Sequence, residues 1–139
     1  MLELFKETVL AAMLLLSPEI DSTKVQVVLS KDPNYVQLAE SLNLPPMLVY
    51  GRTFCGNGSE GKLSCVIVVN SCLIEKDAPA NRRKLEETIL HEYSHVEEFY
   101  RNGKSSNHGR AWRKVVREWG IKTTIKSRNL LKSCEYIFE

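Results

Sequence analysis

The feature that most constrains this sequence is a pair of histidines, four residues apart, inside a segment suited to a helix. Residues 91–95 read H-E-Y-S-H, and residues 82–100 around them are rich in good helix formers. Because positions i and i+4 project from one helix face, His91 and His95 can bind one metal ion together. Glu92 lies one residue round the helix, where it can reach a water on that ion rather than the ion itself. The pattern therefore predicts one catalytic Zn²⁺ per chain, with Glu92 as general base.

The third metal ligand must come from elsewhere, since a catalytic zinc site needs three protein ligands and an open fourth position. The adamalysin-type pattern H-E-x-x-H-x-x-G-x-x-H is not met, because Glu98 and Arg101 stand at its glycine and its last histidine. Two candidates remain. His108 is the only other histidine in the chain, and Glu118 lies 23 residues beyond His95 on the next predicted helix. Both side chains are acceptable zinc ligands, and His108, at the start of that helix, is favoured.

Three β-type runs predict a small sheet of three to four strands. Residues 24–30 are rich in β-branched side chains, and residues 47–55 and 62–71 flank a loop rich in glycine and asparagine, as in a hairpin. Residues 66–69 are apolar on both alternations, which predicts an interior strand, whereas the more polar first strand of the hairpin suits an edge. Residues 121–139 alternate weakly and leave room for one or two short strands.

Helices are predicted before, between and after these strands. Apolar residues recur at helical spacing over residues 2–16 and stop at the following proline. A short helix is expected ahead of the hairpin, Asn81 is expected to cap the histidine-bearing helix, and a last helix spans about residues 109–119. A chain of this length fits one domain. We therefore expect a single α+β domain over residues 1–139, with its sheet packed against the N-terminal helix and the H-E-x-x-H helix.

The compartment is inferred from the N-terminus and the cysteines. The apolar run at residues 9–16 is shorter than the ~20 residues of a membrane span, and the acidic segment before it does not suit a secretion signal. No Cys-x-x-Cys pair is present, which argues against a zinc ribbon or a thioredoxin-type site. We expect an intracellular protein, cytoplasmic or associated with the nucleoid or nucleus, in which disulfides are uncommon. Reduced thiols are accordingly expected at Cys55, Cys65, Cys72 and Cys134.

Charge is distributed unevenly along the chain. Residues 1–100 carry nine Lys and Arg against fourteen Asp and Glu, whereas residues 101–139 carry ten against three. Basic clustering is the electrostatic footprint of an anionic partner such as nucleic acid, although a solvated helix face explains it as well. The candidate DNA contacts are Arg110, Arg113, Lys114, Arg117 and Lys122.

Two segments resemble the SprT/Spartan family of metallopeptidases, whose signature is H-E-x-x-H followed by H-G-x-x-aromatic. They are residues 88–95, T-I-L-H-E-Y-S-H, and residues 108–112, H-G-R-A-W. Residues 66–74 are also similar to the strand-then-Asn segment that precedes this family's active-site helix. The resemblance implies a zinc-dependent endopeptidase acting on protein or peptide substrates. Its implied site has His91, His95 and His108 as zinc ligands, Glu92 as general base and Trp112 as a packing aromatic behind the metal.

The resemblance covers about residues 50–119, the catalytic core, and these 139 residues include no cysteine-rich zinc ribbon such as many members carry. Members that act on DNA-bound proteins use DNA to recruit or activate the enzyme, so DNA is an expected partner. A substrate is expected to lie along the edge strand at residues 47–55. Tyr93, Tyr100 and Arg110 are candidates to stabilise the oxyanion.

One alternative stays open on the same fold: a non-catalytic, zinc-containing module that binds nucleic acid or regulates another protein. A cysteine among the ligands would favour it, because structural zinc sites usually fill their fourth position with Cys or His.

Overall fold

The computed structural model describes residues 1–16, 18–44, 47, 49–57 and 63–121. Helix α1 continues into a π-helical turn at Ala12–Leu16, and a 3₁₀ turn at Ser22–Lys24 precedes the first strand. The elements are α1 Leu2–Ala11, β1 Val25–Leu29, α2 Pro33–Ser41, β2 Gly51–Asn57, β3 Leu63–Val69, α3 Cys72–Glu75, α4 Pro79–Asn102 and α5 Arg110–Trp119.

A three-stranded mixed sheet, in the order β1-β3-β2, supports the helices. Strand β3 runs parallel to β1, with Val25 opposite Cys65, and antiparallel to β2, with Gly51 opposite Val69. Ile67, Val68 and Val69 are all fully buried. The prediction of an interior strand at 66–69 is confirmed, and β2 is an edge strand of the described sheet.

Helix α4 begins earlier than predicted. Its first residue is Pro79, and Ala78 occupies the N-cap position. Proline is favoured in a first helical turn because its fixed φ suits the helix and its missing N–H has no partner there in any case. The prediction that Asn81 caps the helix is therefore wrong: Asn81 lies within the first turn, and its Nδ2 donates to the carbonyl oxygen of Lys76 at 3.0 Å. Gly103, with φ of 71°, occupies the C-cap position of the helix.

The core lies between the sheet and α4, with α1 packed against the same helix. Helix α5 packs against α4 as well. This arrangement confirms the expected α+β fold with an N-terminal helix and a long central helix. The fully buried core side chains from sheet and helix include Ile67, Val69, Leu73, Leu85, Ile89 and Val96. The strands expected beyond Ile121 fall outside the described residues.

The expectation of reduced cysteines is wrong for the described residues. Cys55 and Cys65 stand directly opposite each other in the β2–β3 register and form a disulfide, with their Cα atoms 4.2 Å apart. Cys72 is also disulfide-bonded, and Cys134 lies outside the described residues. Pairing across a hairpin depends on strand register, which cysteine spacing alone does not reveal.

Within the part of the chain that the structure describes, no helix combines the length and the apolar character needed to cross a membrane.

Candidate metal centre

Three histidines meet at one point between α4 and the start of α5. His91 and His95 lie one turn apart on α4, and His108 lies two residues before α5. The Nε2 atom of His91 is 3.1 Å from that of His108 and 3.2 Å from that of His95. One ring nitrogen from each of the three lies within 4.8 Å of the others. This cluster could hold a metal ion.

The protonation of the three rings fits a metal site. Burial lowers the pKa of His91 to about 4 and that of His95 to about 3, and the neighbouring imidazoles add to both effects. Burial also lowers the pKa of His108, while the charge of Glu98 opposes this effect. The rings are therefore neutral near pH 7, which is the form that coordinates a metal. Three imidazoles suit zinc, as they do several other transition metals.

Trp112 forms the rear wall of the histidine cluster. Its side chain is only 2% exposed. The ring stacks on His95, with centroids 5.3 Å apart and planes at 17°, and meets His108 edge-on at 4.6 Å. Its Nε1 donates to Ser94 Oγ at 2.6 Å, and Ser94 Oγ in turn donates to the carbonyl oxygen of His91. Trp112 thus contacts all three imidazole rings and ties α5 to the turn of α4 that carries His91 and His95. Ser94 was not among the candidates predicted from the sequence. The only sign of its role there is that a polar residue occupies the buried face of α4.

Glu92 is buried on the sheet side of α4, beside strand β2. Its side chain is 5% exposed, and Thr53 Oγ1 lies 3.1 Å from Glu92 Oε2 and 3.2 Å from the Glu92 carbonyl oxygen. Thr53 has one hydroxyl proton, so the two oxygens of Glu92 share it or accept it alternately. Burial raises the pKa of Glu92 to about 7, and the Thr53 hydrogen bond partly offsets that rise. The carboxyl group therefore exchanges its proton near neutral pH.

Gly51 allows β2 to lie this close to Glu92. A β-carbon at position 51 would come within 2.8 Å of Thr88 Cγ2 and 2.9 Å of Glu92 Cγ, closer than real contacts allow. Sequence analysis missed both Gly51 and Thr53. Their spacing of two on one strand places them on a common face, but only the structure shows that this face meets Glu92.

Two sequence-based candidates are placed away from the cluster. Glu118 accepts a hydrogen bond from Arg101 Nη1 at 2.6 Å and is not among the groups that converge. Tyr93, considered for oxyanion stabilisation, is 1% exposed within the hydrophobic core, which leaves no room for a substrate beside it. Tyr100 and Arg110 are exposed.

Helix α5 presents a charged face to solvent. Its buried side is formed by Trp112 and Val115, and Gly120 ends it with φ of 65°. Trp112 is therefore not free to stack on a nucleic-acid base. Lys122 lies outside the described residues, and the exposed basic side chains of α5 are Arg110, Arg113, Lys114 and Arg117.

Fold and cluster together define a mixed α+β domain in which one helix and the loop after it assemble a possible metal site. A model of the SprT-like family matches residues 34–130, a range that includes the sheet hairpin, α4, the three histidines and α5. The match covers more than half of the sequence, and the chain belongs to the SprT-like family. No curated protein and no solved structure gives a significant match.

Proposed function

We propose that the chain is a zinc-dependent endopeptidase that hydrolyses protein substrates with Glu92 as general base. The observation that carries the proposal is the convergence of three imidazole nitrogens, together with the buried carboxyl group of Glu92, which follows His91 directly on α4. Membership of the SprT-like family supports a metallopeptidase-type enzyme.

The ligands in this proposal are His91, His95 and His108, through their ring nitrogens. Three neutral imidazoles leave one position of a tetrahedral ion open, as catalytic zinc sites do. When bound, zinc would supply two effects: a lower pKa for a coordinated water, near 7, and polarisation of the scissile carbonyl group.

Glu92 moves the proton. Its carboxylate accepts a proton from the attacking water and then delivers it to the nitrogen of the leaving amine. A pKa of about 7 keeps a substantial fraction of Glu92 ionised near neutral pH, and the carboxyl still gives the proton back readily. Thr53, hydrogen-bonded to Oε2, fixes the orientation of the carboxyl group.

Strand β2 offers a place for the substrate backbone. Its outer edge pairs with no strand among the described residues, and the strand lies against α4 at Glu92. A peptide added along this edge would form main-chain hydrogen bonds, which tolerate many sequences. The side chains of Arg52 and Phe54 alternate with Thr53 along the strand, and Phe54 is exposed.

The test is a Glu92→Gln variant, assayed for metal content and for cleavage of an unfolded protein. The amide keeps the shape of the side chain but cannot take up a proton. We expect about one zinc per chain, as in the wild type, and hydrolysis reduced by about 10²- to 10⁴-fold. The matched control is Glu86→Gln, an exposed position on the same helix, which should cleave like the wild type. Unchanged turnover in Glu92→Gln would refute the assignment of the base.

The alternative of a structural zinc in a non-catalytic module is less well supported. It needs a fourth protein ligand, and the three described cysteines are all disulfide-bonded and offer no thiolate. A wild-type protein that holds one zinc and cleaves no protein, with or without DNA, would favour that alternative.

We further propose DNA as a partner of the exposed basic face of α5, formed by Arg110, Arg113, Lys114 and Arg117. Four basic side chains on one helix are suited to contact DNA phosphates, which fix the position of the protein but do not discriminate between base sequences. Binding should be weak and strongly dependent on salt, with a log–log slope near −3 for about four phosphate contacts.

The DNA proposal is tested by titration at low and moderate salt. A variant with Arg113, Lys114 and Arg117 changed to glutamate should lose binding. In the control variant, Lys6, Lys24 and Arg83 are changed to glutamate. These residues are exposed on other elements, and the net charge changes by the same amount as in the α5 variant. An equal loss of DNA affinity in both variants would contradict the proposal that α5 binds DNA. So would the absence of DNA binding by the wild type at low salt.

A further inference from the structure

The loop that carries His108 has little to hold it in place. Residues 103–107 are all exposed, and two of them, Gly103 and Asn107, have left-handed backbone conformations with φ of 71° and 58°. Exposed loops without apolar anchors open easily. A metal ligand at the end of such a loop requires some other restraint.

The restraint is a buried carboxylate on α4. Glu98 lies three residues after His95 and is 1% exposed. Its two oxygens accept from the backbone N–H of Ser106, at 3.2 and 3.3 Å, and Oε2 also accepts from the Ser106 hydroxyl. A buried carboxylate is costly unless it is hydrogen-bonded, and the donors that bond to Glu98 here belong to Ser106 of the loop.

Ser106 in turn contacts Gly109, the residue that follows His108. Its carbonyl oxygen accepts from the N–H of Gly109 at 3.2 Å. A β-carbon at position 109 would lie 3.0 Å from both Cβ and Oγ of Ser106, so the two residues close tightly around the histidine. Where Ser106 is held, His108 is held too.

We propose that Glu98 is a positioning residue, which holds His108 in place as the third metal ligand by binding Ser106. The proposal rests on the proposed zinc site and deepens it, because Glu98 acts through the loop and is not itself one of the converging groups. Without Glu98 the site keeps the two helical histidines, and the third keeps its contact with the ring of Trp112 but loses the hydrogen bonds that anchor its loop.

The first experiment measures zinc affinity by competition with a chromophoric chelator. Supporting residues of this kind typically contribute 10- to 100-fold to metal affinity, and we expect Glu98→Ala to weaken zinc binding by about that factor. The control is Glu97→Ala, which removes an equally buried carboxylate, 2% exposed, from the same helix. Glu97 pairs with Arg101 rather than with the loop, so this variant should lose stability but keep its zinc affinity.

The second experiment asks whether Glu98 acts through His108. In a His108→Ala background the Glu98→Ala change should reduce zinc affinity by less than about twofold, because the ligand it positions is already gone. The visible spectrum of the Co²⁺-loaded protein gives an independent readout. Glu98→Ala should weaken the intense absorption of tetrahedral Co²⁺ toward the spectrum of His108→Ala, and Glu97→Ala should not.

Milder variants cover a failure of Glu98→Ala to fold. Glu98→Gln keeps an acceptor oxygen for Ser106 and should recover part of the affinity, and Ser106→Ala should show a smaller loss than Glu98→Ala. Wild-type zinc affinity in both Glu98→Gln and Ser106→Ala would overturn the positioning role alone. So would a loss of zinc affinity from Glu98→Ala that is equally large with and without His108. Absence of zinc from the wild-type protein would overturn the proposed function and this role with it.

Discussion

The two parts of the histidine cluster are held by different kinds of structure. His91 and His95 sit on α4, on turns whose other side chains, such as Ile89 and Val96, are buried in the core against the sheet. His108 sits on an exposed loop fixed by hydrogen bonds and by the ring of Trp112. The contrast teaches that the fold itself positions the first two histidines, whereas a few contacts position the third. Metal affinity can therefore change at the loop without a change in the fold.

The largest effect is expected from the helical pair. A variant with both His91 and His95 replaced by alanine should bind no zinc, because a single remaining imidazole cannot hold the ion against water. Elemental analysis of the purified protein checks this, with about one zinc per chain expected for the wild type. If the double variant retained one zinc per chain, the metal would bind elsewhere, and the comparison between the helical histidines and His108 would not apply.

His108→Ala should weaken zinc binding by more than about 100-fold, the upper limit for supporting residues, because it removes a ligand outright. Because His108 is half-buried against Trp112 but the loop adds little to the core, the metal-free variant should lose only about 1 kcal/mol of stability relative to the wild type. Glu118→Ala, which breaks a surface ion pair with Arg101, is the matched control and should keep full affinity. The reverse order of the two affinities would assign the site to the glutamate-ligand class.

Glu92 offers a third test, because it is buried and its hydrogen-bond partner is Thr53 on β2 rather than a residue of the loop. Its folded-state pKa of about 7 exceeds the ordinary 4.5, so the ionised carboxylate destabilises the folded, metal-free protein. The wild type should therefore lose stability as pH rises from 4.5 to 7, and Glu92→Gln should not. We expect the variant to be more stable by about 3 kcal/mol at pH 8 and equally stable at pH 4. Denaturant unfolding at the two pH values measures the difference, and a constant difference would rule out the titration of Glu92 as its source.

The smallest effect should follow Thr53→Val, which removes the hydroxyl that lowers the pKa of Glu92. The carboxyl group should then ionise at higher pH, and the acidic limb of the kcat/KM profile should move up by about one pH unit. Thr23→Val, which removes a hydroxyl bonded to Asp21 far along the chain, should leave the profile in place. A shift to lower pH after Thr53→Val would mean that Thr53 does not bind the ionised form.

The same contrast explains how much could be predicted from the sequence. Helical periodicity alone puts His91 and His95 on one face and Glu92 beside them, and the doubly apolar run at residues 66–69 marks the central strand. These are local patterns, and the structure brings the Nε2 atoms of His91 and His95 within 3.2 Å of each other, as the spacing requires. The prediction of a cap at Asn81 was wrong because the helix begins at Pro79, three residues earlier than expected, with Ala78 at the N-cap position.

What sequence analysis missed depends on how distant segments meet. Glu98 and Ser106 are joined across a turn with left-handed residues, whose course no periodicity describes. The Cys55–Cys65 disulfide requires the hairpin register, and the contact of Thr53 with Glu92 requires the packing of a strand on a helix. Each of these is a tertiary contact between residues that look ordinary in the sequence.

The close approach at Gly51 has a consequence for judging related sequences by their motifs. A β-carbon at that position would push against Thr88 and Glu92, and Thr88 is a stiff, buried β-branched residue. The strand or the carboxyl group would then have to move, although every letter of H-E-x-x-H and H-G-x-x-W stayed the same. A related sequence with alanine at position 51 would keep both motifs and would still lose this close contact between β2 and Glu92. The residue opposite the motif therefore belongs in the signature as much as the histidines do.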